Sequence, residues 1–185
     1  MKKTARILAA ALVLGTTAPA MAEGFYGAVD VGNTHAADVC LGQNAMGCKG
    51  GATALRIGGG YQFQQNWAGE LSYAKYGSGS LGFTPRGVAR GDWSASGLQI
   101  SLVGSLPINN EAALLAKVGY GINNFSAGAL SASNNTVTGG FGFRYNVDKQ
   151  LSVRAMYENL GTFGDPFTTG LTRMSLFTVG GMMKF

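Results

Sequence analysis

From residue 25 onward apolar and polar residues alternate with a period of two, in strand-length segments separated by polar breaks. That period belongs to strands whose two faces meet two different environments. Eight segments can be read. Phe25 to Asn33 sets Phe25, Gly27, Val29 and Val31 against Tyr26, Ala28, Asp30 and Gly32. Thr53 to Phe63 sets Leu55, Ile57, Gly59, Tyr61 and Phe63 against Arg56, Gly58, Gly60 and Gln62. Trp67 to Tyr76 places Leu71 and Tyr73 opposite Glu70 and Ser72. Trp93 to Gly104 carries Leu98, Ile100 and Leu102 on one side, and its upper part breaks the alternation as a bulge would. Ala112 to Gly121 groups Leu114, Ala116, Val118 and Tyr120 away from Lys117 and Gly119. Asn135 to Asn146 groups Val137, Gly139, Phe141, Phe143 and Tyr145 away from Thr136, Thr138, Gly140, Gly142 and Arg144. The seventh segment alternates Leu151, Val153, Ala155 and Tyr157 with Ser152, Arg154, Met156 and Glu158. The eighth puts Ser175, Phe177, Val179, Gly181, Met183 and Phe185 on one side.

The breaks alternate in length. Those after segments one, three, five and seven are long, including Gly77 to Arg90, Ile122 to Asn134 and Leu160 to about Leu171. Those after two, four and six are short: Gln64-Gln65-Asn66, Leu106 to Asn110 and Asp148-Lys149. Long loops on one rim and tight turns on the other predict an all-β fold, an eight-stranded antiparallel transmembrane β-barrel of up-and-down topology, with both termini on the periplasmic side. A soluble sandwich or lipocalin-like barrel would share the period. Three features favour the membrane. The polar faces carry Arg56, Glu70, Lys117, Arg144, Arg154 and Glu158, while the apolar faces carry almost no charge. Tyr61, Phe63, Trp67, Tyr120, Tyr145 and Phe185 lie near segment ends, as interfacial aromatics do. The sequence also runs out on an aromatic residue inside an alternating strand.

The N-terminus is organised differently. Lys2, Lys3 and Arg6 precede an apolar run from Ile7 to Gly15, and Ala20-Met21-Ala22 makes a small-x-small site. Residues 1–22 therefore read as a cleaved secretory signal, leaving residues 23–185 as the barrel domain. The apolar run is shorter than the ~20 residues of a spanning helix. All nine acidic residues lie in the mature part, so the mature chain is only slightly basic once the signal has gone. Its basic residues are scattered, which argues against nucleic acid. The 30 glycines follow no three-residue period, which excludes a collagen-like chain. In an exported chain Cys40 and Cys48 are expected to form a disulfide.

Catalytic chemistry has little to build on. His35 is the only histidine, and pairing with Asp38 or a loop serine would be needed to activate a nucleophile. Cys40, Cys48, His35 and Asp38 offer a weak metal set, and no metal or cofactor is called for. Gly58-Gly59-Gly60 sits inside a predicted strand and opens no helix, so it is not a phosphate loop. The inward ionisable residues say more. Arg56, Glu70, Lys117, Arg144, Arg154 and Glu158, with Asp30 near the first strand, would share a lumen just wide enough for side chains. There they must pair. Two roles follow: a packed polar plug in a structural or surface-interaction barrel with four outer loops, or a narrow or gated channel.

Several stretches resemble the small outer-membrane barrels related to the transmembrane domain of OmpA and to OmpX. These are Gly24-Phe25-Tyr26-Gly27-Ala28, Leu114 to Gly121, and Gly140-Phe141-Gly142-Phe143-Arg144-Tyr145. The resemblance spans the mature chain. It implies residence in the outer membrane of a Gram-negative bacterium, contact with lipid, and a final strand read by the insertion machinery through Phe177, Val179, Gly181, Met183 and Phe185. It leaves open an extracellular ligand or surface met by the loops. Edman sequencing of the membrane-bound form should begin at Glu23; a chain beginning at Met1 would refute the cleavage.

Overall fold

The computed structural model describes residues 24–37, 50–80, 92–167 and 170–185. Eight strands follow one another: β1 (Gly24–Ala36), β2 (Gly51–Gln64), β3 (Trp67–Ser80), β4 (Asp92–Pro107), β5 (Ala112–Ala127), β6 (Leu130–Asn146), β7 (Leu151–Asp165) and β8 (Gly170–Lys184). Each pairs antiparallel with its sequence neighbours, and β8 returns to β1 to close the barrel. The seam is continuous, with Val31 opposite Val179 and Phe185 N–H donating to the Phe25 carbonyl at 3.0 Å. Closure leaves no strand edge to cover. Asn109 and Asp148 fix two of the short turns by accepting backbone N–H bonds at 2.7–2.9 Å.

The wall is inverted relative to a soluble barrel. Val29, Ile57, Leu71, Ile100, Val118, Val137, Phe141 and Phe177 face outward and exposed, while Asp30, Arg56, Glu70, Gln99, Lys117, Arg154 and Glu158 are buried inside. The outward apolar run ends at the same level on every strand, giving way to Asn33, Thr53, Lys75, Ser96, Asn124, Asn135, Asn159 and Ser175. From Phe177 to Phe185, at about 3.3 Å per residue and a tilt of about 40°, that run climbs roughly 20 Å. This approaches the ~25 Å apolar band of an outer-membrane barrel.

Above that level the polarity of the wall reverses. Trp93, Ala95, Phe125, Leu160, Phe163, Met174 and Leu176 point inward and pack as one apolar cluster, while Ser94, Asn124, Ser131 and Ser133 point outward. This reversal corrects three sequence expectations. The polar stretch 122–134 is not a loop: β5 and β6 run on through it to a two-residue turn at Gly128-Ala129. Likewise β7 and β8 occupy most of the stretch assigned to the last loop. The fourth strand alternates without a break, and the irregularity lies across from it on β3, where the register steps between Lys75 and Gly77.

The disulfide expected between Cys40 and Cys48 does not stand. There is no disulfide bond among the described residues, and both cysteines lie outside them. An oxidising compartment lets a disulfide persist but does not bring two Cα atoms within the ~7 Å it needs. The expected signal, residues 1–22, and Asp38 also lie outside the described residues.

Inward glycines make room for large neighbours. A Cβ at Gly60 would lie 2.3–2.6 Å from the Tyr26 ring, and one at Gly32 would lie 1.8 Å from the Phe177 carbonyl oxygen. Outward Gly69 has nothing within 4 Å of the same position. Gly32→Ala should therefore cost about 1–3 kcal/mol through overpacking against backbone, with Gly69→Ala close to neutral. Urea midpoints in lipid vesicles test the pair, and equal midpoints for both variants would contradict this account.

Candidate functional site: the interior ion network

Along several strands the inward residues read apolar, polar, apolar from the short-turn end. On β3 they run Ala68, Glu70, Ser72, Ala74, Tyr76; on β1, Tyr26, Ala28, Asp30, then Thr34 and Ala36. Val103, Leu115, Met156 and Met182 join Tyr26, Ala28 and Ala68 in the lower layer. The upper layer adds aromatic contacts: Tyr76 meets Phe163 edge-on at 5.5 Å and Trp93 stacks on Phe125 at 6.2 Å. A belt of charge lies between the two layers.

Within the belt three acids face three bases. Arg154 clamps Asp30 with Nε to Oδ1 at 2.9 Å and Nη2 to Oδ2 at 2.7 Å, and its Nη1 reaches Glu70 Oε2 at 2.6 Å. Lys117 donates to Glu70 Oε1 at 2.9 Å and lies 3.5 Å from Glu158 Oε2. Arg56 donates through Nη1 to Glu158 Oε1. Gln99 bridges Glu158 and Thr138, and the Tyr26 hydroxyl donates to Glu70 at 3.3 Å. All six charged side chains are at most 3% exposed. The planar guanidinium suits the double contact to Asp30. Equal numbers of opposite charges make it feasible to dehydrate all six.

Of the seven residues expected to share the lumen, the structure thus brings six together. Arg144 points inward but is half-buried and stands apart, lining the short-turn mouth with Lys184. Asp30, expected in the lumen from its place on the first strand, is the main partner of Arg154. Gln99 and Tyr26 were missed. Each has the right parity, but neither carries a charge to single it out. Tyr61, Phe63, Trp67, Tyr120 and Tyr145 all project outward and exposed. So do Phe177, Val179, Met183 and Phe185 on β8, with Gly181 on the same face. His35 is exposed on the outer face of β1, opposite Gly51 and Ser175. Among the described residues no group of three or more His, Cys, Asp and Glu could hold a metal.

A closed eight-stranded wall with lipid-compatible residues outside and a neutralised charge belt inside defines a transmembrane barrel of the outer-membrane class. The chain belongs to the outer membrane protein beta-barrel domain family, whose model matches residues 7–185. No curated protein matches it closely. Among solved structures it is similar to OprG from Pseudomonas aeruginosa (TM-score 0.64, 12% identity, covering 88% of this chain and 96% of that one). It is also similar to Neisserial surface protein A (TM-score 0.59, 17% identity, 88% and 97% covered). A third is Ail of Yersinia pestis, crystallised with the heparin analogue sucrose octasulfate (TM-score 0.51, 16% identity, 88% and 99% covered). At such identities the likeness is one of fold. The family and the closed wall together make the chain an outer-membrane β-barrel.

Removing one member of the belt should be costly, because its partners stay buried. Glu70→Gln deprives both Lys117 and Arg154 of a countercharge and should lower stability by about 3–5 kcal/mol. Lys149→Gln, in an exposed turn, should leave it unchanged. Urea unfolding in vesicles, followed by tryptophan fluorescence and heat-modified gel mobility, makes the comparison. Equal midpoints for Glu70→Gln and the parent would show that the belt does not hold the barrel together.

Proposed function

We propose that the barrel is a non-conducting scaffold that carries an extramembrane rim and outer loops for contact with partners outside the cell. The observation that carries this reading is the sealed interior: a neutral belt of ion pairs lies between two apolar layers. An ion path would have to break Arg154 from Asp30 and Glu70 and also part Tyr76, Trp93, Phe125 and Phe163. Those four aromatic residues are at most 2% exposed. Strands that continue past the apolar band also support display, since they lift the loops clear of the bilayer on a stiff, hydrogen-bonded wall. The outward polar face of that extension, with Ser94, Asn124, Ser131 and Ser133, suits contact with water and polar surfaces rather than lipid. Delivery follows the same reading: export under the N-terminal signal, then insertion guided by the outward row of β8.

Planar-bilayer recording of the refolded mature chain is the direct test. The expected result is an unchanged baseline with no discrete steps, in the parent and in Phe163→Ala alike, because the belt and the lower layer still block the lumen. Reproducible, ion-selective steps from the parent protein would replace the scaffold reading with a channel.

A further inference from the structure

The short-turn end of the barrel, which faces the periplasm, opens into a cup of about 250 Å³. Arg144 and Lys184 line it, with amides that include Gln62, Asn66, Asn110 and Asn146. Among the described residues no carboxylate lines this cup. The belt above consumes its own charges three against three, so none of its acids is left for Arg144. Neither Arg144 nor Lys184 has an ion-pair partner among the described residues, and the Arg144 Nε is buried with nothing accepting from it. The two acids nearby line an adjoining recess that Lys184 also borders, and both accept other hydrogen bonds. Glu111 accepts from the Tyr145 hydroxyl at 2.8 Å, and Asp148 accepts from the Gln150 and Leu151 N–H groups at 2.7 Å each.

Two cations confined in one cup repel each other, and an anion between them removes that repulsion. A guanidinium offers Nε–H and Nη–H as parallel donors that match two oxygens of one oxyanion. Side-chain amides around the rim supply further donors. Beneath the cup the space narrows to about 20 Å³ over Tyr26, Ala68, Leu115 and Met182, so a guest stops at the mouth. We propose that the periplasmic mouth is a binding site for a small oxyanion of phosphate or carboxylate type, held between Arg144 and Lys184. The site is independent of what the outer loops contact.

The test uses the refolded barrel with ¹⁵N-labelled arginine in detergent micelles. The Arg144 Nε–H resonance is followed while inorganic phosphate, and separately acetate, is added against sodium chloride of matched ionic strength. A saturable shift with either oxyanion, absent in chloride, supports the site, and the more potent of the two gives the ligand class. Lys184→Gln should weaken the half-saturation by about tenfold, as expected for loss of a charge-assisted contact. Phosphate should also raise the urea midpoint of the parent, and that rise should vanish in Arg144→Gln. A shift that grows without saturation and equally in all three salts overturns the proposal. So does an undiminished phosphate response in Lys184→Gln, which keeps the test decisive even if Arg144→Gln fails to refold.

Discussion

An eight-stranded barrel encloses too little space for a column of bulk water, so an ionisable side chain fully buried at mid-height in the lumen must find its countercharge on another strand. The six belt residues meet that demand across the lumen instead of along the wall. Arg154 on β7 reaches Asp30 on β1 and Glu70 on β3; Arg56 on β2 reaches Glu158 on β7; Lys117 on β5 reaches Glu70. Among the described residues, no ion pair of the belt joins adjacent strands. The balance therefore belongs to the closed barrel and to no hairpin within it. The same narrowness explains the inward glycines, since Tyr26 and Asp30 occupy volume that a Cβ at Gly60 or Gly180 would take.

Two solvents act on the outside of the wall and one steric limit acts on the inside. In the lipid zone the outer face must be apolar, which leaves the inner face to carry whatever polar residues the chain has. Above it the outer face meets water, and the inner face can be apolar like an ordinary core. The change from Lys117 to Phe125 inside β5, and from Val118 to Asn124 outside it, marks that crossing on a single strand. The membrane boundary is thus written twice, once on each face.

What the sequence revealed follows from this division. Within the lipid zone the period of two and the charge parity agree, so strand positions, facing and the inward ionisable set are legible in the sequence itself. Beyond the zone the period persists while its hydropathy changes sign, and the residues Asn123 to Ser133 look like loop when the lipid-zone template is applied to them. The two-residue turn at Gly128-Ala129, with Gly128 at a φ of +62°, carried a local turn signal that the surrounding polar residues masked. The ion-pair partners were only partly legible. Parity tells which side chains share the lumen, but not their heights, because strand tilt shifts each strand against the next. Arg144 has the parity of Arg154 yet lies nearer the mouth, and Asp30 lies deep enough to be clamped.

The cross-lumen geometry also bears on how such a wall can close. Hairpins form from local pairing, and backbone bonds accumulate strand by strand at little cost in loop closure. The belt cannot follow that order. Until β8 reaches β1, Arg154 and Asp30 are at opposite ends of an open sheet, and the inner face of that sheet must remain hydrated to keep six charges tolerable. Closing the seam brings countercharges together and expels water in one step, so backbone pairing of β1 with β8 and neutralisation of the belt are coupled. Asp30 sits in the middle of that coupling, since it lies on a seam strand opposite Gly180 and accepts from Nε and Nη2 of Arg154. A seam shifted by one residue would turn the outward face of β1 inward, removing Asp30 from Arg154 and placing Val29 or Val31 against the guanidinium. The buried ion pair thereby discriminates against the misregistered barrel more strongly than it stabilises the correct one.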